Sequence, residues 1–284
     1  MSIVEKDIIT SKNNPTVVRL SKLGSKKYRE LEGLFTADGE KLFFEALGSG
    51  LDVKYVVMSR SYAQSAGTDK IRQALEEANY TDVTLLTLAD DVFEKITAEK
   101  SPQGIITVAK TIDFSEKYNK IYNNEKFFTS PRNLVMLSDL QDPGNLGTVL
   151  RCAAAFELDA LLVCKGCVDL FSPKTVRGAM GALFKQPVKA AESAVDEIRA
   201  LRASGVRVYA AALDRNATEL DRLKLSPDES VCFVIGNEGN GLGQEVIDEC
   251  DGTVFIPMSA NTESLNASVA SAVFMWELFK NRRK

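Results

Sequence analysis

Apolar and polar positions along the chain fall into short blocks whose period changes repeatedly. From about Pro15 to Glu32 the spacing predicts a helix, followed by Leu34-Phe35-Thr36, a helix over Glu40 to Leu47 and a strand over Val53 to Met58. A helix near Asp69 to Ala78, a strand at Val83 to Thr87, a helix near Ala89 to Thr97 and a strand at Gly104 to Ala109 complete an alternating α/β unit. This pattern predicts a first domain over residues 1–108. Residues 109–132 read as a linker, because they lack sustained periodicity, are rich in Lys, Asn, Glu and Ser, and end near Pro131.

Beyond the linker, residues 133–284 alternate more strongly. Short all-apolar runs near Leu134 to Leu137, Ala160 to Val163, Val206 to Ala211, Val231 to Ile235 and Thr253 to Ile256 predict buried strands of a parallel sheet with helices on both faces. The last segment, Leu265 to Lys280, predicts a helix that is apolar beyond one face, which points to a partner surface. Ligands of such sheets bind beyond the carboxyl ends of the strands.

Three strand-to-loop-to-helix junctions lie at such ends. The first runs from Leu137 through Asp142-Pro143-Gly144-Asn145 to Arg151, and Asn145 is expected to cap a helix that carries Arg151 in an otherwise apolar run. A charge there usually needs a partner. The second is Gly236-Asn237-Glu238-Gly239-Asn240-Gly241-Leu242, which lacks the Lys-Ser/Thr of a P-loop and the placement of a dinucleotide fingerprint. The third runs from Val254-Phe255-Ile256-Pro257-Met258 to Glu263-Ser264-Leu265-Asn266, with Ser264 and Asn266 placed for helix capping and for facing a ligand.

Composition narrows the chemistry. The chain has 284 residues, 45% hydrophobic and 26% charged, with no apolar run long enough to span a bilayer and no basic-then-apolar start, so a cytoplasmic protein without a membrane partner is expected. It contains no histidine, which removes Ser-His-Asp, Cys-His and His-metal mechanisms. Five scattered cysteines fit reduced core thiols, and Cys164-Lys165-Gly166-Cys167 has no second pair to complete a zinc site, so no metal is expected. The net charge of −4 argues against a nucleic-acid partner only on average. Lys12, Arg19, Lys22, Lys26, Lys27 and Arg29 cluster around Tyr28 without an acidic residue up to Arg29, which reads either as a solvated helix face or as a phosphate contact.

The three junctions, in this order and spacing, resemble the SpoU-type (TrmH-like) RNA ribose 2′-O-methyltransferases of the SPOUT superfamily, and the resemblance extends over nearly the whole chain. It implies an α/β fold with a C-terminal parallel-sheet domain tied in a trefoil knot, preceded by a small α/β substrate-binding domain. It further implies S-adenosyl-L-methionine as cofactor, structured rRNA or tRNA as substrate with rRNA favoured, and a homodimer through the catalytic domain. Residue by residue, it makes Arg151 the principal catalytic group, supported by Asn145, Glu238, Ser264 and Asn266. Gly236, Ile256, Met258 and Leu265 would hold the cofactor. Arg177, in the familial segment Ser172 to Phe184, would contact RNA phosphate together with the basic run. The guanidinium stays protonated in proteins, so Arg151 would orient and stabilise a developing 2′-alkoxide, with an RNA phosphate relaying the proton. A catalytically silent RNA-binding or ribosome-assembly factor on the same fold is the alternative, distinguished by whether it binds the cofactor.

Overall fold

The computed structural model describes residues 3–115, 130, 132–237, 239–259 and 264–283. The chain folds as two compact units, Met1–Ile112 with Asp169–Lys185, and Asp113–Val168 with Gln186–Lys284.

The first unit is built on a five-stranded sheet of β1 (Val4–Ile9), β2 (Leu34–Asp38), β3 (Val53–Ser59), β4 (Thr84–Leu88) and β5 (Ile105–Lys110), ordered β1-β4-β3-β5-β2. β4 runs parallel to β1 and β3, whereas β5 runs antiparallel to β2 and β3. The expected strands and the helices Glu40–Gly48 and Thr68–Glu77 are present. Three elements differ. The helix expected near Ala89 to Thr97 is a single turn, Asp90–Phe93. The predicted helix over Pro15 to Glu32 is two helices, Pro15–Ser21 and Lys26–Glu32, because a tight turn at Lys22–Gly24 leaves Ser25 extended at φ −97°, ψ 136°. β1 was not expected, since Val4-Glu5-Lys6-Asp7-Ile8-Ile9 does not alternate. As an edge strand it needs no fully buried face, and Val4 and Ile8 stay exposed beside charges that discourage edge pairing.

Residues 169–185, expected in the second domain, complete the core of the first unit. Phe35 is fully buried, with Phe171 at a ring-centroid distance of 5.0 Å and Phe184 at 6.0 Å. Arg29, 4% exposed, donates through Nε and Nη2 to Asp169 at 3.0 and 2.5 Å and through Nη1 to the Leu23 carbonyl at 2.7 Å. Removing one partner of such a pair leaves a buried charge uncompensated. Arg29→Ala should therefore destabilise the protein by about 3–5 kcal/mol, read from the denaturation midpoint. A loss below about 1 kcal/mol, the range of a surface pair, would refute this account.

The second unit carries a fully parallel seven-stranded sheet of β6 (Asn133–Leu137), β7 (Ala160–Cys164), β8 (Val188–Ala191), β9 (Arg207–Ala211), β10 (Thr218–Glu219), β11 (Val231–Ile235) and β12 (Gly252–Phe255). The order is β10-β12-β9-β11-β6-β7-β8. β6, β7 and β11 are buried at every position, as their apolar runs require, and the one polar residue, Asn133 at the start of β6, donates through Nδ2 to the Leu278 carbonyl. β8 and β10, absent from the sequence reading, are the short edges. The helix Ala194–Ala203 places Ile198 and Leu201 against Leu134, Met136, Leu162, Val208 and Val234. On the final helix, Ala267–Arg282, Phe274 meets Phe233 at 4.8 Å between ring centroids. Connections run to opposite sides of the sheet from β6 and β11, so the loops after these neighbouring strands open a crevice beyond their carboxyl ends.

Candidate active site

The loop after β6 starts with Asp139 at φ +59°, a left-handed conformation that Asp tolerates better than most residues. Its carbonyl accepts from Gln141 Nε2 at 3.2 Å and Asn237 Nδ2 at 2.9 Å, which ties this loop to the one after β11. Gln141 also donates to the Gly166 carbonyl at 2.7 Å. The helix that follows, Pro143–Ala155, is capped by Asp142, whose carboxylate accepts from the Asn145 N–H at 2.9 Å. This corrects the expected cap at Asn145. Proline suits the first helical position, where its missing N–H costs nothing, so the residue before it takes the cap. Asn145, two positions further on, turns its side chain to other use.

Arg151 also departs from expectation. Leu146, Val149, Leu150 and Ala153 follow the helical period into the core, whereas Arg151 shares the exposed face with Thr148. It makes no hydrogen bond among the described residues, so its apolar neighbours in sequence are not its neighbours in space. Its positive charge reaches Cys152, whose thiol burial nevertheless pushes up.

In the loop after β11, Asn237 and Gly241 exchange two backbone hydrogen bonds of 3.0 Å, and Asn237 Oδ1 accepts from the N–H groups of Gly239 and Asn240. The chain folds back so tightly that a Cβ on Gly236 would lie 2.3 Å from the Gly241 carbonyl oxygen. Gly236 is required by its own loop, a sharper reason than the ligand approach expected from sequence. Glu238 lies outside the described residues.

In the third junction, Asn266 caps the final helix. Its Oδ1 accepts from the N–H of Ser268 at 2.9 Å and of Val269 at 3.4 Å, and from the Ser268 hydroxyl at 2.6 Å. Three donors on one oxygen fix which way the amide faces. Asn266 Nδ2 then donates to Asn145 Oδ1 at 3.0 Å, across 121 residues of sequence.

These loops border a cavity of about 460 Å³. Gly236, Ile256, Met258 and Leu265, expected to hold the cofactor, line it together with Ser264, expected in a catalytic role, and with Asn237, Gly239, Gly241 and Phe274. Ala211, Ala212 and Leu213 at the end of β9 line it as well and carried no motif to announce them. The volume sits within the roughly 300–1,000 Å³ of small-molecule and cofactor sites, and the lining combines apolar side chains with turning, glycine-rich backbone. That fits a ligand with an aromatic base and polar edges, as S-adenosylmethionine has. Arg151 stands outside this lining, about 9 Å along its helix from Asn145.

The expected phosphate contacts lie apart, in the first unit. Lys12 pairs with Asp91 at 3.2 Å, Arg19 with Glu32 at 2.6 Å and Lys26 with Glu30 at 3.8 Å. Lys22 sits 5.1 Å from the Tyr28 ring centroid. Arg29 is corrected outright, because its fork is buried on Asp169 and is not available to a phosphate. Arg177 is exposed and pairs with Glu99. Lys27 has an exposed side chain.

Burial pushes the Cys164 thiol up to about 12 and raises Cys167, whose Sγ donates to the Leu137 carbonyl. Among the described residues no cluster of three or more His, Cys, Asp or Glu side chains could hold a metal ion. No described helix is long and apolar enough to cross a membrane.

Residues 132–276 match the SpoU rRNA Methylase family, and residues 14–107 match the MRM3-like substrate binding domain. The chain is 32% identical over 272 residues to the 23S rRNA (guanosine(2553)-2′-O)-methyltransferase RlmP of Bacillus subtilis, covering 95% of this chain and 98% of that protein. The crystal structure of the AdoMet-bound rRNA methyltransferase from Sinorhizobium meliloti superposes with a TM-score of 0.82 at 27% identity, covering 97% of this chain and 98% of that one. An RNA 2′-O ribose methyltransferase of known structure gives 0.77 at 25% identity, covering 98% of this chain and 100% of that one. With these matches over a cavity built from three converging loops, the chain belongs to the SpoU rRNA methylase family, the S-adenosylmethionine-dependent RNA ribose 2′-O-methyltransferases.

Proposed function

We propose that the protein methylates a ribose 2′-hydroxyl of rRNA, with the cofactor in the cavity beyond β9, β11 and β12 and the RNA presented to it from the side of Asn145 and Arg151. The observation that carries this is the Asn266–Asn145 hydrogen bond beside that cavity, which joins the first and third junctions at one point. Bound S-adenosylmethionine supplies an electrophilic methyl group. Gly236, Ile256, Met258 and Leu265 would hold it through backbone groups and packing. Arg151, permanently cationic, would face the 2′-oxygen as the hydroxyl loses its proton, and Asn145, held by Asn266, would support it. Ser264, Asn266 and Glu238 complete the set by position in the motifs. Much of the rate would come from holding the hydroxyl in line with the methyl group.

Transfer of labelled methyl groups from S-adenosylmethionine to 23S rRNA transcripts tests the reading. Cofactor binding with no transfer to any rRNA or tRNA would favour the silent RNA-binding alternative. The target of the Bacillus subtilis relative makes 23S rRNA the first substrate to try.

The Ser268 hydroxyl belongs to this proposal, because it helps fix the Asn266 amide. Ser268→Ala should lower turnover several-fold at unchanged cofactor affinity, and Ser268→Thr, which keeps the hydroxyl, should restore it. If alanine turns over at the wild-type rate, the two backbone donors suffice and the hydroxyl has no such role.

A homodimer through the second unit also fits. Val269 and Trp276 on the final helix are about half exposed, and the Trp276 ring meets Phe156 edge-on and Phe279 at a tilt, with centroids 5.8 and 5.9 Å away, an aromatic surface of the kind that protein interfaces use. A monomeric mass for the full chain in light scattering would count against it. Family membership further implies a trefoil knot in this unit, which tracing the backbone from both ends would check, and a place in the cytoplasm with the RNA.

A further inference from the structure

The strands β11, β6 and β7 are neighbours in the sheet, and the loops that follow them are tied together around one carbonyl oxygen. That oxygen belongs to Asp139, which stands left-handed in the loop after β6. It accepts from two side-chain amides, Asn237 of the loop after β11 and Gln141 of its own loop. Gln141 reaches further, to the Gly166 carbonyl in the loop after β7 at 2.7 Å. These two loops approach so closely that a Cβ on Gly166, at φ +101°, would lie 2.1 Å from Asp139 Oδ1. The Val168 N–H donates to the Leu140 carbonyl at 2.8 Å and closes the contact.

Gln141 has the exposure of a surface residue and the bonding of a buried one. Its amide nitrogen carries two hydrogens, and both are committed to carbonyls of different loops. The partners also decide which end of the amide sits there, because an amide oxygen facing two carbonyl oxygens would meet no donor. Place in the sequence gives these bonds a consequence. The next residue, Asp142, caps the helix Pro143–Ala155, and Asn145 lies in its first turn, where Asn266 holds it at 3.0 Å. The start of this helix is thus held from two directions, by Asn266 in the first turn and by Gln141 just ahead of the cap, and Arg151 is carried behind it on the same helix. The loop after β11 does not need this hold. Asn237 is fixed there by its own bonds with Gly239, Asn240 and Gly241.

We infer that Gln141 is a positioning residue for methyl transfer: its amide clamps the loop after β6 to the loop after β7 and so aims the helix that presents Asn145 and Arg151 to the ribose. The inference rests on the RNA-methylating reading and adds to it a residue that acts through the helix, not on the reacting atoms. It predicts a split, with turnover dependent on the clamp and cofactor binding independent of it.

The test uses two variants of the full-length protein. Gln141→Met keeps the length of the side chain and removes both donors. Single-turnover methyl transfer to a 23S rRNA transcript should fall roughly 10–100-fold, the scale of a misplacement of about 1 Å, while S-adenosylmethionine affinity stays at the wild-type value. Hydrogen–deuterium exchange should quicken over residues 138–146 and stay unchanged over 239–243, a readout independent of activity. Gln141→Glu sets a carboxyl group against the two carbonyls, which raises its pKa above the ordinary value of about 4.3. Only the protonated acid can donate. Its turnover relative to wild type at the same pH should therefore be lowest at about pH 8 and recover toward about pH 5.5, which a general loss of structure would not produce. Unchanged exchange in Gln141→Met, or a flat ratio across pH in Gln141→Glu, would overturn the clamp. Faster exchange with wild-type turnover, or equal losses of turnover and cofactor affinity, would overturn its role in positioning the helix. Wild-type protein that methylates no rRNA, with the exchange results as expected, would overturn the functional reading and leave the clamp standing.

Discussion

Arg151→Ala should lower methyl transfer by roughly 10²–10³-fold or more, the scale on which a single electrostatic donor to a developing oxyanion acts. The side chain is exposed and holds no hydrogen bond among the described residues, so its removal opens no cavity and strands no partner. Folding and S-adenosylmethionine affinity should therefore stay close to wild type, which separates this variant from one that merely damages the domain. Arg151→Lys should not rescue, because a compact ammonium cannot present two parallel N–H groups. Single-turnover transfer of labelled methyl groups to rRNA reads the effect directly. An alanine variant with near-normal turnover would end the assignment of Arg151 as the group that meets the ribose oxygen.

Gly236→Ala should fail for a different reason, by breaking the shape of the cavity. The added Cβ would lie 2.3 Å from the Gly241 oxygen, 2.4 Å from its carbonyl carbon and 2.7 Å from the Leu242 nitrogen, all backbone atoms. Relief requires the loop to open, and the paired Asn237–Gly241 hydrogen bonds would go with it. Overpacking of this kind costs about 1–3 kcal/mol, and cofactor affinity should fall by an order of magnitude or more, as seen by calorimetric titration. Gly243→Ala is the matched control. Its Cβ would meet nothing closer than Glu245 at 3.9 Å, and its φ is −63°, so it should bind like wild type. Equal behaviour of the two variants would show that the close backbone approach does not shape the site.

Much of the cavity was legible in the sequence because its residues sit at ends of strong strands. Gly236, Ile256, Met258 and Leu265 follow runs so apolar that only a buried parallel sheet accommodates them, and loops at those ends have one side of the sheet on which to meet. The errors came where one signal can be met in two ways. Asn145 reads as cap chemistry and Asp142-Pro143 as a turn, yet Pro143 at the first helical position gives the cap to Asp142. Arg151 looks buried when its neighbours are counted along the chain and is exposed when they are counted around the helix. Arg29 looked like one more cation in a basic run, since its partner Asp169 lies 140 residues away. The edge strands β1, β8 and β10 escaped notice because edges need little hydrophobic pattern, and the lining from β9, Ala211 to Leu213, has no chemistry of its own to mark it.

The segment Asp169–Lys185 fixes the order in which the molecule can assemble during synthesis. Phe35 and Arg29 are made early, but their partners Phe171, Phe184 and Asp169 follow only after the linker and the first two strands of the other sheet. At roughly 5–20 residues per second, the 73 residues from 113 to 185 take on the order of 4–15 s to appear, during which the first unit is present without its last core residues. A nascent chain halted before residue 169 would carry an exposed aromatic surface and an unpaired guanidinium, a state that chaperones recognise.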